Sequence, residues 1–189
     1  MFISKKKYFL IIESIKDIQL SNIKKPNKLS IIYRNKKSKD KIPELFNFRK
    51  LCGIKKIKFF ISNDLNLCKD LKADGIYISA NNFNLKFSRF KNYNLKIIGS
   101  AHNRKEILIK KQQGCSEIIF SRLFKTSYDY KKGYLGIVKF NLFNKSYNDK
   151  LVPLGGIRLD NLNRLQMLKS SGLVIFSEIK KKPAIIDRL

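Results

Sequence analysis

Short apolar runs recur along the chain, each closed by polar or turn-forming residues. The runs are Tyr8–Ser14, Leu29–Arg34, Ile57–Ser62, Gly75–Ser79, Leu95–Ser100, Glu117–Ser121, Leu151–Leu154 and Leu173–Ser177. They are mostly continuous rather than alternating, which is the pattern of strands buried on both faces. Between several of them the apolar positions switch to helical spacing: about 40–52, with Ile42, Leu45, Phe46, Phe48 and Leu51, then about 64–72, 103–113 and 160–170. Asn103 is placed to cap the third of these helices, with Glu106 three residues later as in a capping box and Gly114 just past its end. Asp160 is expected to cap the fourth helix, with Gly172 just beyond it. The connections 80–94 and 130–150 carry only weak helical patterns.

Strands alternating with helices predict a parallel sheet covered by helices, and eight such units predict an α/β fold closed into a (β/α)8 barrel. At 189 residues the chain is short for that fold, so several helices must be trimmed. The same length favours one domain, residues 1–189. An open doubly wound sheet is the competing architecture, but the sequence holds no Gly-rich dinucleotide or P-loop fingerprint to support it.

Composition adds a formal charge of +27, from 41 Lys and Arg against 14 Asp and Glu. With 43% hydrophobic residues the chain is too apolar for a disordered polycation. Thirty-three of the basic residues are Lys and only 8 are Arg, and they are spread over nearly every segment. Nucleic-acid readers cluster their charge on one face and favour Arg, so the charge reads mainly as solvated background and a nucleic-acid partner is not expected. Cys52, Cys68 and Cys115 are odd in number and lack the spacing of a disulfide framework or a zinc site, which points to a reducing cytoplasm. The apolar run after Lys5–Lys7 ends at Glu13, too short for a signal peptide, and no stretch approaches a membrane span. Oligomeric state is left open, a homo-oligomer included.

In a parallel barrel the working residues sit at the C-terminal ends of strands. Those ends offer Arg34 and Lys36, then Asn63 and Asp64, Asn81 and Asn82, Ser100 and His102, then Arg122, Thr126 and Ser127, then Gly155 and Gly156, and last Phe176 and Ser177. The glycine pair lets backbone approach a ligand closely, and with Phe176 and Ser177 it fits the phosphate site commonly built after strands seven and eight. A tight strand-to-helix turn is the alternative explanation for the pair. His102 is the only histidine, which excludes any mechanism needing two imidazoles.

Val152-Pro-Leu-Gly-Gly-Ile157 and Gly172-Leu-Val-Ile-Phe-Ser-Glu-Ile179 resemble the last two strands of the thiamine phosphate synthase and TenI family. Tyr33–Lys36, Ile61–Asp64, Ala73–Ile78, Gly99–His102 and Gly114–Thr126 fall in that family's order and at its spacing, so the resemblance covers nearly the whole chain. It implies a synthase that joins hydroxymethylpyrimidine diphosphate to a thiazole phosphate and releases pyrophosphate, with Mg²⁺ on the departing group. By the same resemblance Arg34 and Lys36 hold the diphosphate, and Asn63 and Asp64 lie at the diphosphate and its metal. Ser100 faces the reacting pyrimidine, and the backbone at Gly155, Gly156, Phe176 and Ser177 holds the thiazole's phosphate.

The chain departs from that pattern at several positions. Ile32 stands where synthases place a Gln, Asn82 where a second metal-binding Asp is expected, and Asp129 where a Lys follows the strand-six Thr. Tyr77 replaces the usual His of strand four, and Ser79 and Ala80 replace the Gly and Gln after it. TenI-type members, which include thiazole tautomerases, likewise lack the strand-four Asp and keep a His after strand five. His102 matches it and is suited to proton transfer near neutrality. The expected activity is therefore a synthase. A metal-free tautomerase, a ligand-binding relative without turnover and a charge-driven nucleic-acid binder are the alternatives.

Overall fold

The computed structural model describes residues 6–35, 40–92, 95–126, 133–148 and 150–175. Eight strands are present among them, one in each predicted run: β1 Lys7–Ile12, β2 Leu29–Tyr33, β3 Lys58–Ser62, β4 Gly75–Ile78, β5 Lys96–Ala101, β6 Glu117–Ser121, β7 Leu151–Leu154 and β8 Gly172–Ile175. Every pairing is parallel, and the spatial order is consecutive from β7 back to β1, with β8 beside β1. That order has no point at which the winding reverses, which rules out the doubly wound alternative. β7 and β8 lie in contact, so the sheet is a nearly closed barrel.

Two-residue periodicity divides each strand between two cores. Phe9, Ile11, Ile32, Phe60, Tyr77, Ile98, Ile119, Val152 and Val174 point inward and fill the barrel. Their neighbours, such as Leu10, Ile31, Phe59, Ile76, Ile118 and Leu173, point outward against the helices. Both faces are therefore apolar, and this is why the strands read as unbroken apolar runs. Complete burial of each inner side chain contributes about 1.5–3 kcal/mol. Ile32, at the position where synthases carry Gln, belongs to the inner core and is fully buried.

The helices are α1 Ile42–Ile54, α2 Leu65–Asp70, α3 Arg104–Gln112 and α4 Gly136–Lys145. α3 begins as predicted, with the Asn103 side chain accepting from the Glu106 amide at 2.9 Å. Three expectations need correction. The 130–150 connection holds a full helix, α4, anchored by its buried Ile137, Phe140 and Asn144. The 160–170 segment is a 3₁₀ helix, Leu159–Met167, and Asp160 does not cap it. Asn161 closes that turn instead, accepting from the Arg158 amide at 2.9 Å and donating to the Gly156 carbonyl at 2.7 Å. Gly172 is the first residue of β8 rather than a helix stop; a Cβ there would meet the Lys7 carbonyl oxygen at 2.8 Å.

Candidate active site

The C-terminal ends of the strands surround a cavity of about 360 Å³ lined by Arg34 after β2, Tyr77 and Ser79 from β4 and its end, Ser100 and His102 from β5 and its end, and Leu154 of β7. Of the predicted residues, Arg34, Asn81, Ser100 and His102 are brought together here. Strand geometry explains the convergence. Tyr77 points into the barrel, its hydroxyl bonds with Ser100, and the Arg34 guanidinium lies within electrostatic reach of it. Burial raises the Tyr77 phenol above its usual range, while the Ser100 bond and the Arg34 charge pull the other way. The phenol therefore stays protonated and serves as a hydrogen-bond donor or acceptor at the cavity floor.

His102 sits at the lip, with its side chain 58% exposed. Glu106, one helical turn on, accepts from the His102 amide at 2.7 Å and faces its ring Nδ1 at 3.1 Å. Asn103 Nδ2 donates to the other Glu106 oxygen at 2.7 Å. The first turn of α3 thus also orients the imidazole and leaves Nε2 for a ligand. His102 and Glu106 border a second cavity as well, lined by Phe120, Ser121, Arg122 and Tyr134.

The β3 and β4 ends form a network of neutral side chains. Asn63 adopts a left-handed backbone, φ 60°, and turns its amide across to the β4 end. Its Oδ1 accepts from the Ser79 amide and from Asn82 Nδ2, both at 3.0 Å, and its Nδ2 donates to Ser79 Oγ at 2.9 Å. Asp64 caps α2, accepting from the Leu67 amide at 2.9 Å.

At the β7 end, Gly155 and Gly156 have φ values of 103° and 68°. A Cβ on Gly156 would lie 2.5 Å from the Lys125 carbonyl oxygen and 2.6 Å from that of Phe124, so the β6 loop requires glycine there on packing grounds alone. Lys36, Phe176 and Ser177 lie outside the described residues, as do Ser127 and Asp129.

A barrel with this strand order and this set of rim residues can be compared with known proteins. A family model described as thiamine monophosphate synthase matches residues 14–179. The chain belongs to the thiamine monophosphate synthase family. Among relatives, the thiamine-phosphate synthase of Prochlorococcus marinus (strain AS9601) is 25% identical over 170 residues, which cover 89% of this chain and 48% of that protein. The thiamine-phosphate synthase of Clostridioides difficile (strain 630) is 30% identical over 128 residues, 66% of this chain and 60% of that one. The chain spans about half the length of the Prochlorococcus relatives it matches. A solved thiamine phosphate pyrophosphorylase from Pyrococcus furiosus superposes with a TM-score of 0.73 at 17% identity, covering 97% of this chain and 91% of that one, a likeness of fold.

The described residues at the rim of this family member are a poor donor set for Mg²⁺. Among the described residues no three Asp, Glu, His or Cys side chains gather as a metal site. Asp64 is the one carboxylate of the β3 and β4 ends, and one of its oxygens is committed to capping α2. The amide oxygens of Asn63 and Asn82 already accept backbone or side-chain donors. No helix of the described residues is long and apolar enough to cross a membrane.

Two contributors escaped the sequence reading. Lys110 on α3 and Gln113 just past its end are buried, and both donate to the Asn82 carbonyl, at 2.7 and 2.8 Å. Position 110 lies three residues after the buried Ile107, on the helix stripe that faces the barrel, and this is the signal that would have found it. Tyr77 was noted only as a replaced His; its inward phase along β4 carries its hydroxyl to Ser100.

Proposed function

We propose that the protein is a thiamine phosphate synthase-type transferase, joining hydroxymethylpyrimidine diphosphate to a thiazole phosphate with release of pyrophosphate. Family membership supports the reaction class, and the observation that carries the reading is the convergence of Arg34, Tyr77, Ser100 and His102 on one cavity at the barrel mouth. In this reading the bond from the pyrimidine's methylene carbon to the diphosphate breaks with its electron pair leaving on the diphosphate, and the thiazole ring nitrogen supplies the pair for the new bond to that carbon. Arg34 faces that growing negative charge, and a fixed cation in a partly enclosed site lowers the barrier by stabilising it. Lys36, two residues along, adds a second cation. Ser100, held by Tyr77, orients the pyrimidine. The β7 end at Gly155 and Gly156, with Phe176 and Ser177, takes the phosphate of the thiazole partner. We read residues 1–189 as one barrel unit acting in a reducing cytoplasm.

A thiazole tautomerase is the second reading, favoured by the ring of His102 held at 3.1 Å by Glu106. Incubation of the chain with both phosphorylated precursors, scored for thiamine phosphate, separates the two. The synthase reading expects product, and Arg34→Ala lowering its rate about 100-fold. Absence of product from a folded sample, with thiazole isomerisation abolished in His102→Ala, decides for the tautomerase.

A further inference from the structure

We infer that the diphosphate site of this protein works without a divalent cation, because the rim at the ends of β3 and β4 has been rebuilt as a closed amide network resting on a buried lysine. The inference rests on the synthase reading for the identity of the anion, but its geometry is independent of that reading. Mg²⁺ requires oxygen ligands in near-octahedral order, usually one or two carboxylates together with phosphate oxygens and waters. Asn82 sits at the position where the second carboxylate is expected. Its Oδ1 accepts from the Asn84 amide at 3.1 Å, and its Nδ2 donates to Asn63 Oδ1 at 3.0 Å. Ser79 Oγ accepts from Asn63 at 2.9 Å and donates to Asn81 Oδ1 at 3.0 Å. Each of these side-chain oxygens is already satisfied by a neighbour, and drawing one onto a metal would unpair a donor.

The backbone carbonyls of this loop are taken as well. Lys110, fully buried on α3, donates to the Asn82 carbonyl at 2.7 Å and to Gln113 Oε1 at 3.0 Å. Gln113 Nε2 donates to the Asn82 carbonyl at 2.8 Å and to that of Asn84 at 3.0 Å. The loop is thus pinned against α3 with its carbonyls turned toward the helix. The Lys110 ammonium also brings positive charge under the residue that would have carried a ligand carboxylate, and like charge at that range disfavours a dication. Against it stand Asp64, with one oxygen bound to the start of α2, and Glu106, whose two oxygens accept from the His102 amide and from Asn103. Arg34 is the described cation that lines this cavity, placed to hold an anion directly.

Calorimetric titration of the whole chain with inorganic pyrophosphate, in chelator and in excess Mg²⁺, tests this. The expected result is binding in chelator that Mg²⁺ tightens by no more than about twofold, that Arg34→Ala weakens by about tenfold or more, and that Asn82→Asp weakens in chelator while making it Mg²⁺-dependent. Binding seen only with Mg²⁺, tightening of about tenfold or more, binding indifferent to Arg34→Ala, or no binding in either condition overturns the inference. The precursor assay run alongside keeps the two claims apart. Product formed only with Mg²⁺ preserves the synthase reading and removes this inference, whereas Arg34-dependent pyrophosphate binding in chelator without product preserves the inference and removes the synthase reading.

Discussion

The two sides of the barrel rim are built on different principles. From β2 to β5 the rim is made of side chains: Arg34, Asn63, Ser79, Asn82, Ser100 and His102, tied to one another or to the cores beneath them. At β7 it is made of backbone packed under the β6 loop, beside the Ser121 and Arg122 side chains of the second cavity. Gly155 and Gly156 pack under the chain at Arg122–Lys125, and the Phe124 amide donates to the Gly155 carbonyl at 3.0 Å. Side chains can be exchanged singly while the strands stay in place, and most of the family positions that differ here (Ile32, Tyr77, Ser79, Ala80, Asn82) lie on the side-chain half, whereas Asp129, after β6, lies outside the described residues. Gly156 tolerates no such drift, because a Cβ there collides with main chain.

That contrast sets the size of the effects expected from mutation. Gly156→Ala forces a Cβ against two carbonyl oxygens at a φ of 68°, and should cost about 3 kcal/mol or more of stability, read as a fall in the denaturation midpoint. A change below about 1 kcal/mol would show that the β6 loop yields and that the two halves are alike. Next comes Arg34→Ala on the side-chain half, which should leave stability nearly unaltered while slowing turnover about 100-fold. Lys110→Met keeps the volume but removes the donor to Gln113 and one of two donors to Asn82; about 1–2 kcal/mol of stability should be lost in urea titration. Glu106→Ala removes the carboxylate that accepts from the His102 amide and from Asn103 and faces the His102 ring, while the Asn103 cap survives, for about 1 kcal/mol.

A further effect, absent at neutral pH, is one of alkaline pH. Burial pushes the thiols of Cys52 and Cys115 up to about 12 and that of Cys68 to about 11, from an ordinary 9.0. The folded chain therefore holds these protons after the unfolded chain has released them, so their contribution to stability is complete below pH 9.0 and is lost as pH rises toward 11 and 12. Lys6, lowered by burial from 10.5 to about 8, acts in the opposite sense between those values and blunts the early part of the fall. At neutral pH none of the three cysteines should react with a thiol reagent until the protein unfolds, since all are buried thiols.

Much of the barrel could be read from the sequence because its strands are buried on both faces, and eight apolar runs survive any local ambiguity. α4 was hidden for the converse reason. Its buried stripe includes Asn144, whose amide donates to the Lys169 carbonyl and accepts from Leu151, while its exposed face carries Val138 and Leu142, so polarity and burial are inverted along the helix. The 3₁₀ form of 159–167 depends on Asn161 reaching back to Gly156, a contact that periodicity does not encode. At the site, strand-end position sufficed to bring Arg34, Ser100 and His102 to one cavity. It could not tell that Asp64 serves as a helix cap, or that the glycine pair answers to the packing of the β6 loop, because both depend on contacts between segments distant along the chain.

A ligand-bound crystal structure of the chain with pyrophosphate and thiazole phosphate is the most direct test of this division of labour. The account predicts pyrophosphate on the side-chain half, against the Arg34 guanidinium, and the thiazole's phosphate on the backbone half, at Gly155 and Gly156. Both ligands on one half, or neither within the mouth, would contradict it.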